Sequence, residues 1–216
     1  KLLYPATHPY SWPVIGSMND LSAATLDDVK GFFQSYYTPN NATIVIAGDI
    51  DPREARRLVE LYFGGIPRGP DVSRTPPPAI RLAADVSGTL EDRVQLPRVY
   101  DTWHSQKAFA QDDAALDVLA TVLAGGKSSR LYRRLVYDMQ IAQEWARCQA
   151  SHSLSSYFLI EATARPGHTA DELLKVIDEE IAKLQATAPS AHDVERSLNQ
   201  IESSFFSRME RVGGFG

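Results

Sequence analysis

Apolar residues recur at helical spacing in two segments near the start of the chain, over about 25–37 and about 52–63. The two stripes consist of Leu26, Val29, Phe32, Phe33 and Tyr36, and of Ala55, Leu58, Val59, Tyr62 and Phe63. Between the stripes, residues 42–47 form a short apolar run rich in β-branched side chains. The pattern therefore predicts two amphipathic helices on either side of a buried strand.

Turn residues bound this predicted strand on both sides. Residues 38–41 (Thr-Pro-Asn-Asn) predict a turn before it, because proline fixes φ and asparagine tolerates left-handed conformations. Residues 48–52 end the strand and begin a helix, in which Asp51 suits the N-cap and Pro52 the first helical position.

A segment rich in glycine and proline divides the chain. Residues 64–78 hold three glycines and five prolines, a composition typical of a semi-rigid linker. We expect a first part at residues 1–67, a linker at 68–78 and a second part at 79–216.

The second part alternates short apolar runs with amphipathic segments. Strands are predicted at Ile80–Val86, about 95–104, 143–151 and 156–164, and helices at about 112–123, 128–139, 169–186 and 190–211. The order strand, turn, helix of residues 42–63 returns at 157–181, which either duplication or chance would produce. The residue pattern alone predicts a soluble α/β protein in two parts.

Composition and charge narrow the class of protein. Hydrophobic residues make up 44% of the 216 residues, so a packed core is expected. The net charge of −5 and the lack of a basic run argue against nucleic acid as a partner. No apolar run approaches the roughly 20 residues that span a bilayer. Cys148 is the single cysteine, which gives no indication of the redox compartment, and no signal peptide is recognised. Periplasm and cytoplasm therefore both stay open.

The five histidines do not form a zinc motif. No two of them lie four residues apart, the spacing that aims two helical imidazoles at one ion. His192 comes nearest, because a histidine at position 196 would complete H-x-x-E-H, but Arg196 cannot bind zinc. We interpret this segment as a solvated first helical turn.

A second candidate is the loop at residues 125–129 (Gly-Gly-Lys-Ser-Ser). It lacks the first glycine of the phosphate-binding motif G-x-x-x-x-G-K-[ST] and follows a predicted helix instead of a strand. A glycine C-cap followed by a serine N-cap explains the same residues. Four basic residues lie in or after this loop: Lys127, Arg130, Arg133 and Arg134. They could bind an anionic group of a peptide or be ordinary surface charge, and both interpretations stay open.

Four motifs in sequence order resemble the pitrilysin/insulinase family of zinc metallopeptidases, which includes mitochondrial processing peptidase and related bacterial proteases. They are HPY with a downstream glycine, YYTPNN, IVIAGDIDP and GGKSSRLYRRL, and the resemblance covers essentially the whole chain. It implies an α/β (α+β) fold of two-layer units, in which helices pack on one face of a mixed or antiparallel sheet. Residues 1–67 would be the closing helix–strand–helix part of an upstream peptidase domain. Residues 79–216 would be a second, non-catalytic domain, nearly complete but truncated at its C-terminus.

The resemblance also implies what this chain lacks. The family's H-x-x-E-H motif and its downstream glutamate ligand lie upstream of the resembling region, so no catalytic residue and no metal ligand is assigned here. The arginine–tyrosine pair that polarises the scissile carbonyl in many relatives matches Val136 and Gln143, and is absent. We expect the parent to be a zinc metalloendopeptidase that holds zinc outside this segment, and the segment alone to be inactive.

One substrate-binding role is implied by the same resemblance. The loop matches the glycine-rich loop implicated in peptide capture in the non-catalytic subunit of mitochondrial processing peptidase, although it is much shorter here. The residues concerned are Gly125, Gly126, Lys127, Ser128, Ser129 and Arg130. The implied partners are the upstream catalytic domain of the same protein and peptide substrates.

We therefore expect a non-catalytic segment that forms part of the peptide-binding chamber of a peptidase. Two alternatives stay open. A structural or assembly module of an inactive homologue would lack H-x-x-E-H upstream. A small-ligand-binding α/β domain would bind a metabolite at residues 125–129. If the strand at 42–47 lacks sheet partners, its open edges invite pairing, so a homo-oligomer, a swapped arrangement or a disordered N-terminal part is expected.

Overall fold

The computed structural model of the chain describes residues 2–74, 76, 78 and 80–210. It contains two compact units, the first covering Leu3–Arg81 and the second beginning at Leu82. In the described part of the chain, no helix combines the length and the apolar composition needed to cross a membrane.

The described residues of the first unit form three α-helices: α1 (Met18–Ala23), α2 (Leu26–Tyr36) and α3 (Pro52–Phe63). Local capping explains where the two longer ones begin. Thr25 and Asp28 form a reciprocal capping box at α2. The Asp51 carboxylate accepts the Arg53 N–H at 2.8 Å at α3, so the predicted N-cap is confirmed.

The predicted turn at residues 38–41 is tied to a distant segment through Asn40. Its Nδ2 donates to the Pro70 carbonyl at 3.1 Å, and its Oδ1 accepts the Gly69 N–H at 3.0 Å. A Cβ at Gly69 would overlap the Thr38 side chain, so this close approach requires glycine. The turn therefore holds the start of the glycine- and proline-rich segment.

The prediction of a buried strand at residues 42–47 is wrong for this structure. The segment belongs to no β-ladder, and Ile44, Val45 and Ile46 are 52%, 84% and 49% exposed. A strand needs a neighbouring strand for its backbone hydrogen bonds, and the described part of the first unit supplies none. Among the described residues of this unit, only Tyr4 and His8 are buried.

The second unit is built on a three-stranded antiparallel sheet. Its strands are β1 (Arg98–Ser105), β2 (Ala142–Ala150) and β3 (Ser156–Ala164), in the order β1-β3-β2. The register pairs Val99 with Ala162 and Trp145 with Ala162 across the central strand. The predicted hairpin is thus present as β2 and β3. The prediction of a strand at Ile80–Val86 is wrong, because the described residues of this segment join no β-ladder.

Three helices cover one face of this sheet in the described structure: α4 (Asp113–Ala124), a π-helix (Tyr132–Asp138) and α5 (Ala170–Ala186). A further helix, α6 (Ala191–Met209), packs against α4. A single apolar core lies between helices and sheet. Its fully buried side chains include Leu131, Leu135, Ile160, Leu173 and Ile177. The predicted α/β class, with helices on one face of an antiparallel sheet, is confirmed.

The helix predicted at about 128–139 has π geometry over most of its length. The Met139 N–H bonds to the Arg134 carbonyl, five residues back. Gln140 then adopts a left-handed φ of 54°, and the Ile141 N–H bonds to the Leu135 carbonyl. This wider turn brings the chain directly into β2.

Asp113 fixes the start of α4 to the far end of β2. Its carboxylate accepts the Phe109 N–H at 2.9 Å, Gln149 Nε2 at 3.1 Å and Ser151 Oγ at 2.6 Å. The Ser151 hydroxyl, the Phe109 N–H and the Gln149 amide together lower the pKa of Asp113. The same contacts hold Phe109 at a left-handed φ of 63°.

Asp101 of β1 is a carboxylate on the helix-covered face of the sheet, opposite Ile160. Burial raises its pKa, and the negative charges of Asp178 and Asp85 raise it further. Ionised Asp101 therefore destabilises the folded state. The protein is more stable at low pH, where Asp101 is protonated, and it loses this stability as the pH rises through the folded-state pKa.

Asp101→Asn is accordingly expected to raise the melting temperature at neutral pH by about 2–4 °C. The gain should shrink as the pH falls through the folded-state pKa and vanish below the lower unfolded-state pKa, where Asp101 is neutral in both states. Thermal unfolding followed by circular dichroism across the acid range measures this. A gain independent of pH, or a loss at neutral pH, would contradict the assignment.

Candidate functional site

The sheet of the second unit has one face that the helices do not cover, called here the open face. Side chains alternate along a strand, so the residues pairing across this face follow from the register. They are Arg98, Tyr100, Thr102 and His104 of β1, Tyr157, Leu159, Glu161 and Thr163 of β3, and Glu144, Ala146, Cys148 and Ala150 of β2. Of these only Thr163 is buried, whereas Phe158, Ile160 and Ala162 on the other face all are.

Charged groups gather at one end of the open face. The Arg98 guanidinium donates to Glu161 at 2.8 Å, to Glu144 at 2.7 Å and to Thr163 Oγ1 at 2.8 Å. Two carboxylates against one guanidinium leave this end net negative. Tyr100 lies beside it on β1 and is 62% exposed. The open face is therefore partly apolar and carries charge at one end.

The structure places the predicted loop, residues 125–130, between α4 and the π-helix. Gly125 is the C-cap of α4, as predicted, and Gly126 has a left-handed φ of 78°. Ser129 lies just before the next helical turn, where its carbonyl accepts the Arg133 N–H at 3.0 Å, and its hydroxyl donates to the Gly126 carbonyl at 2.7 Å. Lys127 is exposed and, within the described chain, has no recorded ion pair.

The basic residues beside this loop do not form one free positive patch. The Arg130 guanidinium lies 3.8 Å from the Asp193 carboxylate of α6. Arg134 donates to Glu179 at 2.6 Å and to Glu180 at 2.8 Å on α5. Lys127 and Arg133 are the exposed cations that remain of this group in the described structure.

Sequence reasoning missed two residues that shape the loop. Arg196 donates to Ser128 Oγ at 3.0 Å and also lies 3.7 Å from Asp193, so it joins α6 to the loop. Trp145 Nε1 donates to the Ala124 carbonyl at 3.1 Å, which caps α4 from β2. No local signal marks either role, since the Arg196–Ser128 and Trp145–Ala124 contacts each span more than twenty residues.

No group of three or more histidine, cysteine, aspartate or glutamate side chains in the described structure could hold a metal ion. His192 is exposed on the first turn of α6, and Arg196 at the fourth position beyond it is engaged with the loop. Val136 packs against the apolar core, and Gln143 is exposed on β2. These two positions therefore offer no guanidinium or phenol to a scissile carbonyl.

Comparisons with known proteins agree with this architecture. The family model described as the peptidase M16 inactive domain matches residues 23–201. The zinc protease PqqE of Helicobacter pylori is 28% identical over 207 residues, which are 94% of this chain and 46% of that protein. The crystal structure of a protease from Helicobacter pylori has a TM-score of 0.80 at 27% identity, over 96% of this chain and 51% of that one.

A further solved structure is similar in fold. The peptidase M16 inactive domain from Pseudomonas fluorescens has a TM-score of 0.81 at 18% identity, over 94% of this chain and 48% of that one. The chain thus spans about half the length of the proteins that it matches. Because the family model covers most of the residues, the chain belongs to the peptidase M16 inactive-domain family, within the pitrilysin/insulinase zinc proteases.

Proposed function

We propose that this chain is the non-catalytic part of a zinc metallopeptidase, and that the open face of its second unit forms part of the wall of the peptide-binding chamber. One observation supports this most directly. Helices bury one face of the sheet, while the face opposite is exposed or half-buried except at Thr163 and carries Tyr100, Leu159 and the Arg98 cluster. An extended peptide can lie along such a surface of mixed polarity.

In this proposal the chemistry belongs to the rest of the parent protein. The relatives that the chain matches include proteins named zinc proteases, which supports zinc in the parent. Zinc held by residues outside this chain would supply an activated water for peptide hydrolysis, and a carboxylate there would serve as general base. The residues of the open face would orient the substrate, and the loop at 125–130 would offer a separate peptide contact through Lys127 and its backbone amides.

The domain arrangement belongs to the same proposal. Residues 1–67 would close the upstream catalytic domain, 68–78 would link it onward, and 79–216 would form the non-catalytic domain. The partners would be that catalytic domain and peptide substrates.

Photo-crosslinking in the complete parent protein tests the role of the open face. A benzoylphenylalanine at Leu159 is expected to crosslink an unstructured peptide in the presence of zinc. The same group at Leu198, an exposed position on α6, serves as the matched control and should not crosslink. Equal crosslinking at both positions would contradict the proposal.

The activity assignment has its own test. The purified 216-residue chain with zinc and an unstructured peptide is expected to show no turnover above background, whereas the complete parent hydrolyses the peptide. Zinc-dependent turnover by the chain alone would overturn the non-catalytic assignment. A parent without hydrolysis would favour the structural or assembly module.

A further inference from the structure

A cavity of about 650 Å³ lies on the helix-covered side of the sheet in the second unit. Its apolar walls include Leu116 and Leu119 of α4, Phe158 of β3, and Ile181 and Leu184 of α5. The four aliphatic side chains also pack against the apolar core, so the cavity continues the core outward between the two helices. Its size is typical of small-molecule sites, which span roughly 300–1,000 Å³.

Polar groups line this cavity where β1 ends and α4 begins. Ser105 is the last residue of β1, and Asp112 directly precedes α4. The Ser105 Oγ atom is buried and makes no hydrogen bond within the described structure. A buried hydroxyl without a partner costs free energy, which a ligand that hydrogen-bonds to it would recover.

The charge at this end of the cavity is negative. The Asp112 carboxylate is exposed and makes no cap hydrogen bond to α4. The last turn of α5, with Leu184 and Gln185 on the cavity wall, adds the partial negative charge of a helix C-terminus. Among the described residues that line the cavity there is neither lysine nor arginine. The site therefore favours a cationic group over an anionic one.

We propose that this cavity binds a small apolar molecule that carries a primary ammonium group. The apolar body would fill the space between α4 and α5, and the ammonium would donate to the Asp112 carboxylate and to the Ser105 hydroxyl. A primary ammonium has three donors and no acceptor, which suits a site with these two acceptors. The cavity lies on the side of the sheet opposite the open face, so the proposal goes beyond the proposed function and does not depend on it.

Three probes of similar shape test the class of ligand: phenylbutylamine, phenylbutanol and phenylbutyrate. NMR titration of the 216-residue chain, followed at the indole N–H of Trp103 on the cavity wall, gives a Kd for each probe. The amine is expected to bind about fivefold more tightly than the alcohol, because it adds an ion pair beside a helix C-terminus, and phenylbutyrate is expected to bind most weakly. Equal Kd values for amine and alcohol, tighter binding of phenylbutyrate, or no binding of any probe would overturn the proposal.

A matched pair of variants tests the role of Asp112. Asp112→Asn removes the charge but keeps the shape, so it should abolish the preference for the amine and leave the Kd of phenylbutanol unchanged. Asp138→Asn, at an exposed position outside the cavity, should preserve the preference. A preference that survives in Asp112→Asn, or that is lost equally in both variants, would contradict the proposal.

The position of the ammonium has a test of its own. Ser105→Ala removes the hydroxyl that would accept from the ligand, so phenylbutylamine should bind about threefold more weakly. An unchanged Kd in this variant would overturn the assignment of Ser105 as an acceptor.

The complete parent protein provides the last comparison. Ligand-detected NMR is expected to show the same preference for phenylbutylamine there as in the 216-residue chain. Loss of binding in the parent would show that its other half occupies the cavity, and would overturn the proposal. A Trp103 signal that shifts with the concentration of the chain, without any probe, would overturn it in favour of a second copy.

Discussion

Replacement of Arg134 by alanine is expected to lower the free energy of unfolding by about 3 kcal/mol, the scale of a broken buried ion pair. Glu180 of α5 is only 5% exposed and accepts Arg134 Nη1 at 2.8 Å and Lys183 Nζ at 2.7 Å. Without the guanidinium, this buried carboxylate keeps one donor, and Glu179 loses its bond of 2.6 Å. Urea unfolding followed by circular dichroism measures the loss.

The pH dependence of this loss provides an internal check. Burial raises the pKa of Glu180, but the donors Lys183 and Arg134 outweigh burial and hold the pKa below its ordinary value. The stabilisation is therefore present at neutral pH and disappears as the pH falls through the folded-state pKa. The difference between wild type and Arg134→Ala should shrink in acid. Arg98→Ala breaks exposed ion pairs on the open face of the sheet and should lower the free energy of unfolding much less. An equal loss in the two variants would contradict the prediction.

Gly125→Ala is expected to destabilise the second unit by about 2–3 kcal/mol, the range for inserting an atom where packing leaves no room. A Cβ at Gly125 would overlap the carbonyl oxygen and the side chain of Thr121. That carbonyl cannot move away easily, because it accepts the Gly125 N–H at 2.8 Å at the end of α4.

Gly126→Ala is the neighbouring comparison. Its Cβ would meet no close contact, but the left-handed φ of 78° should cost about 1–2 kcal/mol. Thermal unfolding of both variants gives the order of the two effects. A greater loss in Gly126→Ala than in Gly125→Ala would show that backbone strain, and not crowding against Thr121, sets the loop conformation.

The helices could be predicted from the sequence because their determinants are local. The stripes at 25–37 and 52–63, the cap at Asp51 and the capping box of Thr169 and Glu172 all lie within a few residues of the helices they specify. The hairpin of β2 and β3 was predicted for a similar reason, since its two strands are neighbours in sequence.

The errors concern contacts that no local pattern specifies. Residues 42–47 and Ile80–Val86 have strand-like composition, but a ladder requires a partner that the described chain does not provide. The π geometry after Leu131 likewise depends on how the chain enters β2. In the candidate site, Arg134 was grouped with the loop cations, whereas its partners on α5 lie 45 and 46 residues away.

The position of Trp145 gives the molecule an optical reporter of the loop at 125–130. Its indole N–H is bonded to the last carbonyl of α4, and its ring centre lies 4.5 Å from that of Tyr132, just beyond the loop. Emission from an indole depends on its hydrogen bond and on its neighbours. Any ligand that shifts the loop should therefore change the fluorescence of Trp145. Substitution of Trp12 and Trp103 by phenylalanine would make Trp145 the single tryptophan, so that all indole emission would come from it.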